Sequence, residues 1–172
     1  MKKINFKRGL WMVVVAVLLT STLVSCDSLK RKGVGKHWST EVTHTFPNTN
    51  WAFEEEVLEF NFDIEDTTKN YDVSLSLCYD SSVVTLRTIP LSIILSSPDG
   101  MKSIAASQFL LDPKVNSNIR SEGGGKMIAD VVLYPDRKLK ALGTYTLTVY
   151  RRAEKADNYG FISLSAKVNV AQ

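Results

Sequence analysis

The chain has 172 residues, 44% apolar and 23% charged, which suits one folded domain and excludes extended disorder or a collagen-like repeat. Its formal charge of +3 misleads, because residues 1–25 hold Lys2, Lys3, Lys7 and Arg8 and no acid. The remainder has 17 basic against 18 acidic residues, so the body lacks the basic field used to bind nucleic acid. The two cysteines, Cys26 and Cys78, build neither a disulfide scaffold nor a four-cysteine zinc site.

The first segment reads as an address. Four cations in residues 1–8 precede Leu-Trp-Met-Val-Val-Val-Ala-Val-Leu-Leu at 10–19. Ten helical residues span about 15 Å, half of a hydrocarbon core of about 30 Å, so the run suits a signal peptide and not a membrane span. Leu23-Val24-Ser25-Cys26 then resembles the lipobox of bacterial lipoproteins. That resemblance implies removal of residues 1–25, a diacylglyceryl group on the Cys26 thiol and acylation of the new amine. The expected membrane partner is reached through these acyl chains, the covalent lipid on Cys26 being the one attached group and no other cofactor being called for. Lys30, Arg31 and Lys32 follow the cysteine, instead of the acidic run that marks surface lipoproteins in some lineages. A periplasm-facing outer-membrane protein is the expectation. Residues 26–45 are assigned to the lipidated N-terminus and a solvated tether, with Lys36 the fourth cation near the head groups.

From residue 46 the expectation is a β-domain running to residue 172. Leu58, Phe60, Phe62 and Ile64 alternate with Glu59, Asn61 and Asp63, and Tyr71, Val73, Leu75, Leu77 and Tyr79 alternate with polar residues. The turn cluster 66–70 between them predicts a hairpin or neighbouring antiparallel strands. A strand at 91–95 ends at Ser97-Pro98-Asp99-Gly100. Residues 102–111 allow a short helix but sit between strands, which favours an extended segment. A loop-rich stretch at 112–126 precedes a strand at 127–133 closed by Pro135-Asp136. Gly143 opens a strand with Tyr145, Leu147 and Val149 on one face, and 161–170 is the last strand. Seven or eight alternating strands each bury one face, so two sheets must pack together. The predicted fold is all-β, an antiparallel sandwich of immunoglobulin-like or jelly-roll-like type, with a closed barrel second.

Residues that carry chemistry are sparse. His37 and His44 fall in the tether, which cannot hold a base rigidly beside a nucleophile. Glu54-Glu55-Glu56, Glu59 and Asp63 alternate or cluster as the wet side of a strand does, without a calcium-loop pattern. Gly123-Gly124-Gly125 lacks the Lys-Ser/Thr of a phosphate loop and reads as a plain loop. Cys78 points away from the inward set of its strand and is expected as a free thiol. Trp38, Trp51 and Phe53 precede the first confident strand, where exposed aromatics would suit a glycan or a partner protein and buried ones would belong to the core. These features favour a non-enzymatic protein without a small-molecule substrate.

The order of motifs resembles the gliding-motility lipoprotein GldH family of Bacteroidetes-type bacteria. The resemblance runs over Trp51-x-Phe53, Phe60-x-Phe62-x-Ile64-x-Asp66, Tyr71, Val73, Arg87, Pro-Leu-Ser-Ile-Ile-Leu at 90–95, Ser97-Pro98-Asp99-Gly100, Gly143-x-Tyr145 and the strand 161–170. Residues 117–126 and 150–153 depart from the family pattern, marking a divergent member. The resemblance implies an accessory role in gliding or in the associated secretion apparatus, with other envelope motility or secretion proteins as partners. Trp51, Phe53, Arg151 and Arg152 are the candidate contacts. The alternative expectation is a glycan-binding lipoprotein of a nutrient-uptake system.

Overall fold

The computed structural model describes residues 38–52, 57–152 and 158–172, all within the compact unit Arg31–Gln172. The signal peptide, Cys26, His37, Phe53 and Glu54-Glu55-Glu56 lie outside the described residues. The described chain forms eleven strands and one 3-10 turn, Pro47–Thr49. The strands are β1 (Ser39–Thr45), β2 (Asn50–Trp51), β3 (Val57–Ile64), β4 (Asn70–Asp80), β5 (Thr88–Ser96), β6 (Lys102–Leu110), β7 (Ile119–Gly123), β8 (Lys126–Lys138), β9 (Gly143–Arg151), β10 (Asn158–Tyr159) and β11 (Phe161–Val170).

All pairings are antiparallel. A five-stranded sheet, β1-β11-β4-β8-β7, faces a four-stranded sheet, β3-β9-β5-β6, and β10 pairs with β2 alone. Without the short β2, β7 and β10, the eight long strands run first-last-third-sixth over second-seventh-fourth-fifth. That is jelly-roll order, so the sandwich is of jelly-roll and not immunoglobulin type. The alternating side chains meet between the sheets: Phe60, Phe62 and Ile64, Tyr71 to Tyr79 and Ile89 to Leu95 at every second position, Leu147 and Val149, Leu164 and Val168 are all buried. Removing each such side chain from water contributes roughly 1.5–3 kcal/mol before entropy is counted.

Four expectations are corrected. β3 and β4 form no hairpin, since β3 pairs with β9 and β4 lies between β11 and β8. The five residues 65–69 carry the chain from one sheet to the other. The folded domain also begins earlier than residue 46, because β1 pairs along its whole length with β11 and takes 39–45 out of the tether. Its alternation is spoken by Val42 and His44 among Thr and Glu, a weakly apolar face that suits an edge strand. Next, β8 continues past Leu133 through Pro135 to Lys138. Two residues, Pro135 and Asp136, oppose Asp72 in a bulge, where proline loses no ladder hydrogen bond. Asp136, at φ 47°, donates its backbone N–H to Asp72 Oδ1 at 2.8 Å. The loop-rich stretch also contains β7, which turns into β8 through Gly124 and Gly125, both at positive φ as a two-residue hairpin turn requires. Residues 102–110 are extended, as expected.

Register fixes the two ends of the sandwich. Ser39 is opposite Asn169, Asn70 opposite Lys138, Ile64 opposite Gly143 and Ser96 opposite Lys102. Trp38, the loops 65–69, 97–101 and 139–142, and the residues after Val170 therefore gather at one end. The segments 46–52, 81–87, 111–118 and 158–160 gather at the other.

Candidate functional site

The end opposite Trp38 carries an open cleft of about 250 Å³, lined by Val83, Val84, Thr85, Leu86, Asn158, Tyr159 and Phe161. Val83, Leu86 and Tyr159 expose 49%, 39% and 59% of their surface, an unusual grouping of apolar side chains at one place. Val83 and Tyr159 are held by local structure. Asp80 Oδ1 accepts from the backbone N–H of Ser82 at 2.9 Å and from its hydroxyl at 2.6 Å. Those bonds hold the exposed Asp80 carboxyl below the usual aspartate range. Its carbonyl also accepts from Val83 and Val84, so the segment is a fixed turn with apolar tips. Tyr159 is set by β10, which pairs with Asn50-Trp51, and by Gly160 at φ +91°. A Cβ at Gly160 would come within 2.8 Å of Val84 Cγ2, so only glycine lets the turn approach the strand this closely.

Beneath the cleft lies an aromatic base. Trp51 is fully buried, stacked on Phe46 at 4.9 Å and edge-on to Phe161 at 6.1 Å. The Arg151 guanidinium lies 5.6 Å from the Trp51 ring centroid and donates to the Ala52 carbonyl at 3.3 Å. Trp51 and Arg151 thus lie together at this end, as interior residues and not as exposed contacts. Trp51 has too large an apolar ring to leave wet when β2 closes the end of the core. Arg151 is drawn inward by the ring face and a carbonyl. Arg152 is the exposed member, with its backbone N–H donating to the Pro90 carbonyl at 2.9 Å. Phe53 lies outside the described residues. The sequence reading missed Val83, Leu86 and Tyr159. Their one signal was three apolar residues, Val83, Val84 and Leu86, in a turn-rich stretch without strand periodicity.

The other singled-out residues take structural places. His44 is half-buried, edge-on to Phe46 at 5.1 Å. Glu59 and Asp63 lie on the wet face of β3, where Asp63 Oδ1 accepts from Thr144 Oγ1 at 2.6 Å. No group of three or more His, Cys, Asp or Glu residues suited to a metal occurs among the described residues. Among those residues no helix is long and apolar enough to cross a membrane.

Cys78 is a free, half-buried thiol on the outer face of the five-stranded sheet, in register with Ser163 and Ile128. Burial pushes its pKa up, Glu122 adds to this and Lys126 opposes it. The thiolate is the reactive form. Cys78 should therefore react with a maleimide at neutral pH more slowly than free cysteine, and accelerate only above the ordinary thiol range. A rate at neutral pH equal to that of free cysteine would contradict this placement.

Comparison with protein-family models gives no match, and comparison with curated proteins gives none. Among solved structures the chain is similar to a carbohydrate-binding module, CBM28, specific for non-crystalline cellulose, at 13% identity over 78% of this chain and 73% of that one, with a TM-score of 0.41. It is similar to Caldicellulosiruptor saccharolyticus CBM27-1 in complex with mannohexaose, at 11% identity over 84% and 80%, TM-score 0.45. It is similar also to infectious bursal disease virus, Gx strain, at 12% identity over 79% of this chain and 32% of that one, TM-score 0.44. At these identities the likeness concerns the sandwich and says nothing of a ligand.

Proposed function

We propose that this chain is a lipid-anchored jelly-roll module of a bacterial envelope, serving gliding motility or the associated protein-secretion machinery by protein–protein contact. The observation that carries the reading is the apolar group Val83, Leu86 and Tyr159, exposed around one cleft that the buried Phe161 also lines. Solvent-facing apolar side chains on fixed turns give a partner a preorganised surface, and a few aromatic or Arg anchors dominate such contacts. Arg152 is the charged neighbour on the chain leaving β9. The lipobox at 23–26 and the motif order given above support the envelope setting.

The test is deletion of the gene, followed by restoration with wild type, Leu86→Asp, Tyr159→Ala or Arg152→Ala. Colony spreading and adhesin secretion are scored. Deletion should abolish both, and wild type should restore them. Leu86→Asp and Tyr159→Ala should restore them poorly at unchanged protein level. A second reading, glycan binding, is favoured by Tyr159 alone, an exposed ring beside an open cleft of the kind that stacks on a sugar. Normal spreading and secretion in the deletion strain, together with poor growth on one polysaccharide, would overturn the first reading in favour of the second.

A further inference from the structure

We infer that the Trp38 end of the sandwich seats on an anionic phospholipid surface. The inference rests on the reading that Cys26 carries the lipid. Four observations lead to it. First, a groove of about 450 Å³ opens at this end between the β5–β6 turn and residues 136–141. Its walls bear four cations, Lys102, Arg137, Lys138 and Lys140, against two acids, Asp99 and Asp136.

Second, the charged groups of the groove are held by uncharged partners and not by one another. Asp99 accepts from the Ser97 hydroxyl, and Asp136 accepts from Asn70 Nδ2 at 2.8 Å. Arg137 donates to Ser103 Oγ at 2.9 Å and Lys138 to the Thr68 carbonyl at 2.7 Å, both uncharged acceptors. None of the four cations forms an ion pair among the described residues. The groove thus keeps four cations against two acids, and it is this groove that would meet a negative surface, while the neighbouring loop 65–69 adds Glu65 and Asp66 against Lys69.

Third, the loop tips at this end are apolar. Met101 is 70% exposed and Leu142 is 62% exposed. The two loops abut, since a Cβ at Gly143 would sit 3.4 Å from Pro98 Cγ. Protruding apolar side chains ringed by cations match an interface where head groups meet acyl chains. A soluble acidic peptide would use the cations but leave these tips in water.

Fourth, the chain reaches this end from the anchor. Eleven residues, 27–37, separate Cys26 from Trp38, so the two α-carbons are at most about 43 Å apart even when fully extended. Lys30, Arg31, Lys32 and Lys36 in that stretch add charge of the same sign. The ring of Trp38 packs edge-on to Tyr71 at 5.6 Å, and its carbonyl accepts from the Val170 N–H at 3.1 Å, which fixes the point of emergence. The opposite end, with Val83, Leu86 and Tyr159, then points away from the bilayer.

The experiment reconstitutes the lipidated full-length product into vesicles of phosphatidylcholine, with or without phosphatidylglycerol. A water-soluble amine reagent is applied, and modification of each lysine is read by mass spectrometry. Lys102, Lys138 and Lys140 should be modified several-fold more slowly on the anionic vesicles, with protection lifted by high salt. Lys114 and Lys126, at the other end, should react equally on both. The double variant Met101→Asp, Leu142→Asp should lose the protection while keeping the lipid. Equal rates for the two groups of lysines on both vesicles would overturn the inference. Protection by added polyglutamate, with none from phosphatidylglycerol, would overturn it too and assign the groove to an acidic peptide. Incorporation of an alkyne fatty acid reports Cys26 separately. Without the label the anchoring premise fails, whereas label with equal lysine rates fails the docking alone.

Discussion

Trp51→Ala should lower stability by about 3–5 kcal/mol, the usual cost of removing a fully buried large aromatic side chain. Trp51 has no exposed surface and sits at the centre of Phe46, Phe161 and the Arg151 guanidinium. Its loss would empty the base of the β2–β10 ladder and leave Arg151 without its ring face. Neighbouring chain cannot close the gap, because Phe46 is tied to Ile162 and Gly160 to Thr49 by backbone hydrogen bonds at 2.9 and 2.8 Å. Tyr159→Ala, on the same ladder but facing water, should stay within about 0.5 kcal/mol of wild type. Urea unfolding of the two variants separates them. Similar midpoints for both would mean that Trp51 is not the interior residue it is here. The same pair discriminates function: Tyr159→Ala is the variant expected to fold normally and fail in complementation.

The inward faces were legible in the sequence because a period of two needs no knowledge of neighbours. Phe60, Phe62 and Ile64, and Tyr71 to Tyr79, declare one wet and one dry side wherever their strands end up. What periodicity cannot say is which strand lies alongside. In a jelly roll most successive strands change sheets, so the turn cluster between Ile64 and Asn70 looks like a hairpin turn and is a crossover. β1 was hidden for a related reason. An edge strand packs few apolar side chains, and Ser39 to Thr45 carries only Val42 as an aliphatic residue. Pro135 looked like a stop because a bulge that absorbs it is a property of the pairing with Asp72, not of the local sequence.

The candidate site was half legible. Trp51 and Arg151 are large side chains of the kind that anchor interfaces, yet both lie in the interior at one end of the domain. Whether Trp51 faces in or out depends on the two-residue strand β10, which pairs with it from more than a hundred residues away. Val83 and Leu86 lie between strands and Tyr159 in a two-residue strand, where no periodicity tells an exposed apolar side chain from a buried one. The basic groove was illegible for another reason. Lys102 and Lys138–Lys140 belong to different sheets and meet only because the β5–β6 turn and the β8–β9 loop share an end.

Cys26→Ala should remove mature-sized protein from the membrane fraction, by more than about a hundredfold, because the acyl chains supply most of the attachment. Each buried methylene contributes about 0.8 kcal/mol, so two or three chains far exceed what exposed lysines add, at about 1 kcal/mol per charge. The variant should accumulate as uncleaved precursor, retained by its apolar run at 10–19, or be released to the aqueous phase at mature size. Detergent phase partitioning with size analysis distinguishes the forms. The lysines at the Trp38 end cannot rescue the anchor, since surface charge is screened within a Debye length of about 8 Å at physiological salt. They can orient a domain that the lipid already holds at the bilayer. Mature-sized Cys26→Ala protein that still partitions wholly with detergent would mean that the chain is held by something other than Cys26. The orientation set by Lys102, Arg137, Lys138 and Lys140 would then lose its premise, while the jelly roll and its open cleft would stand unchanged.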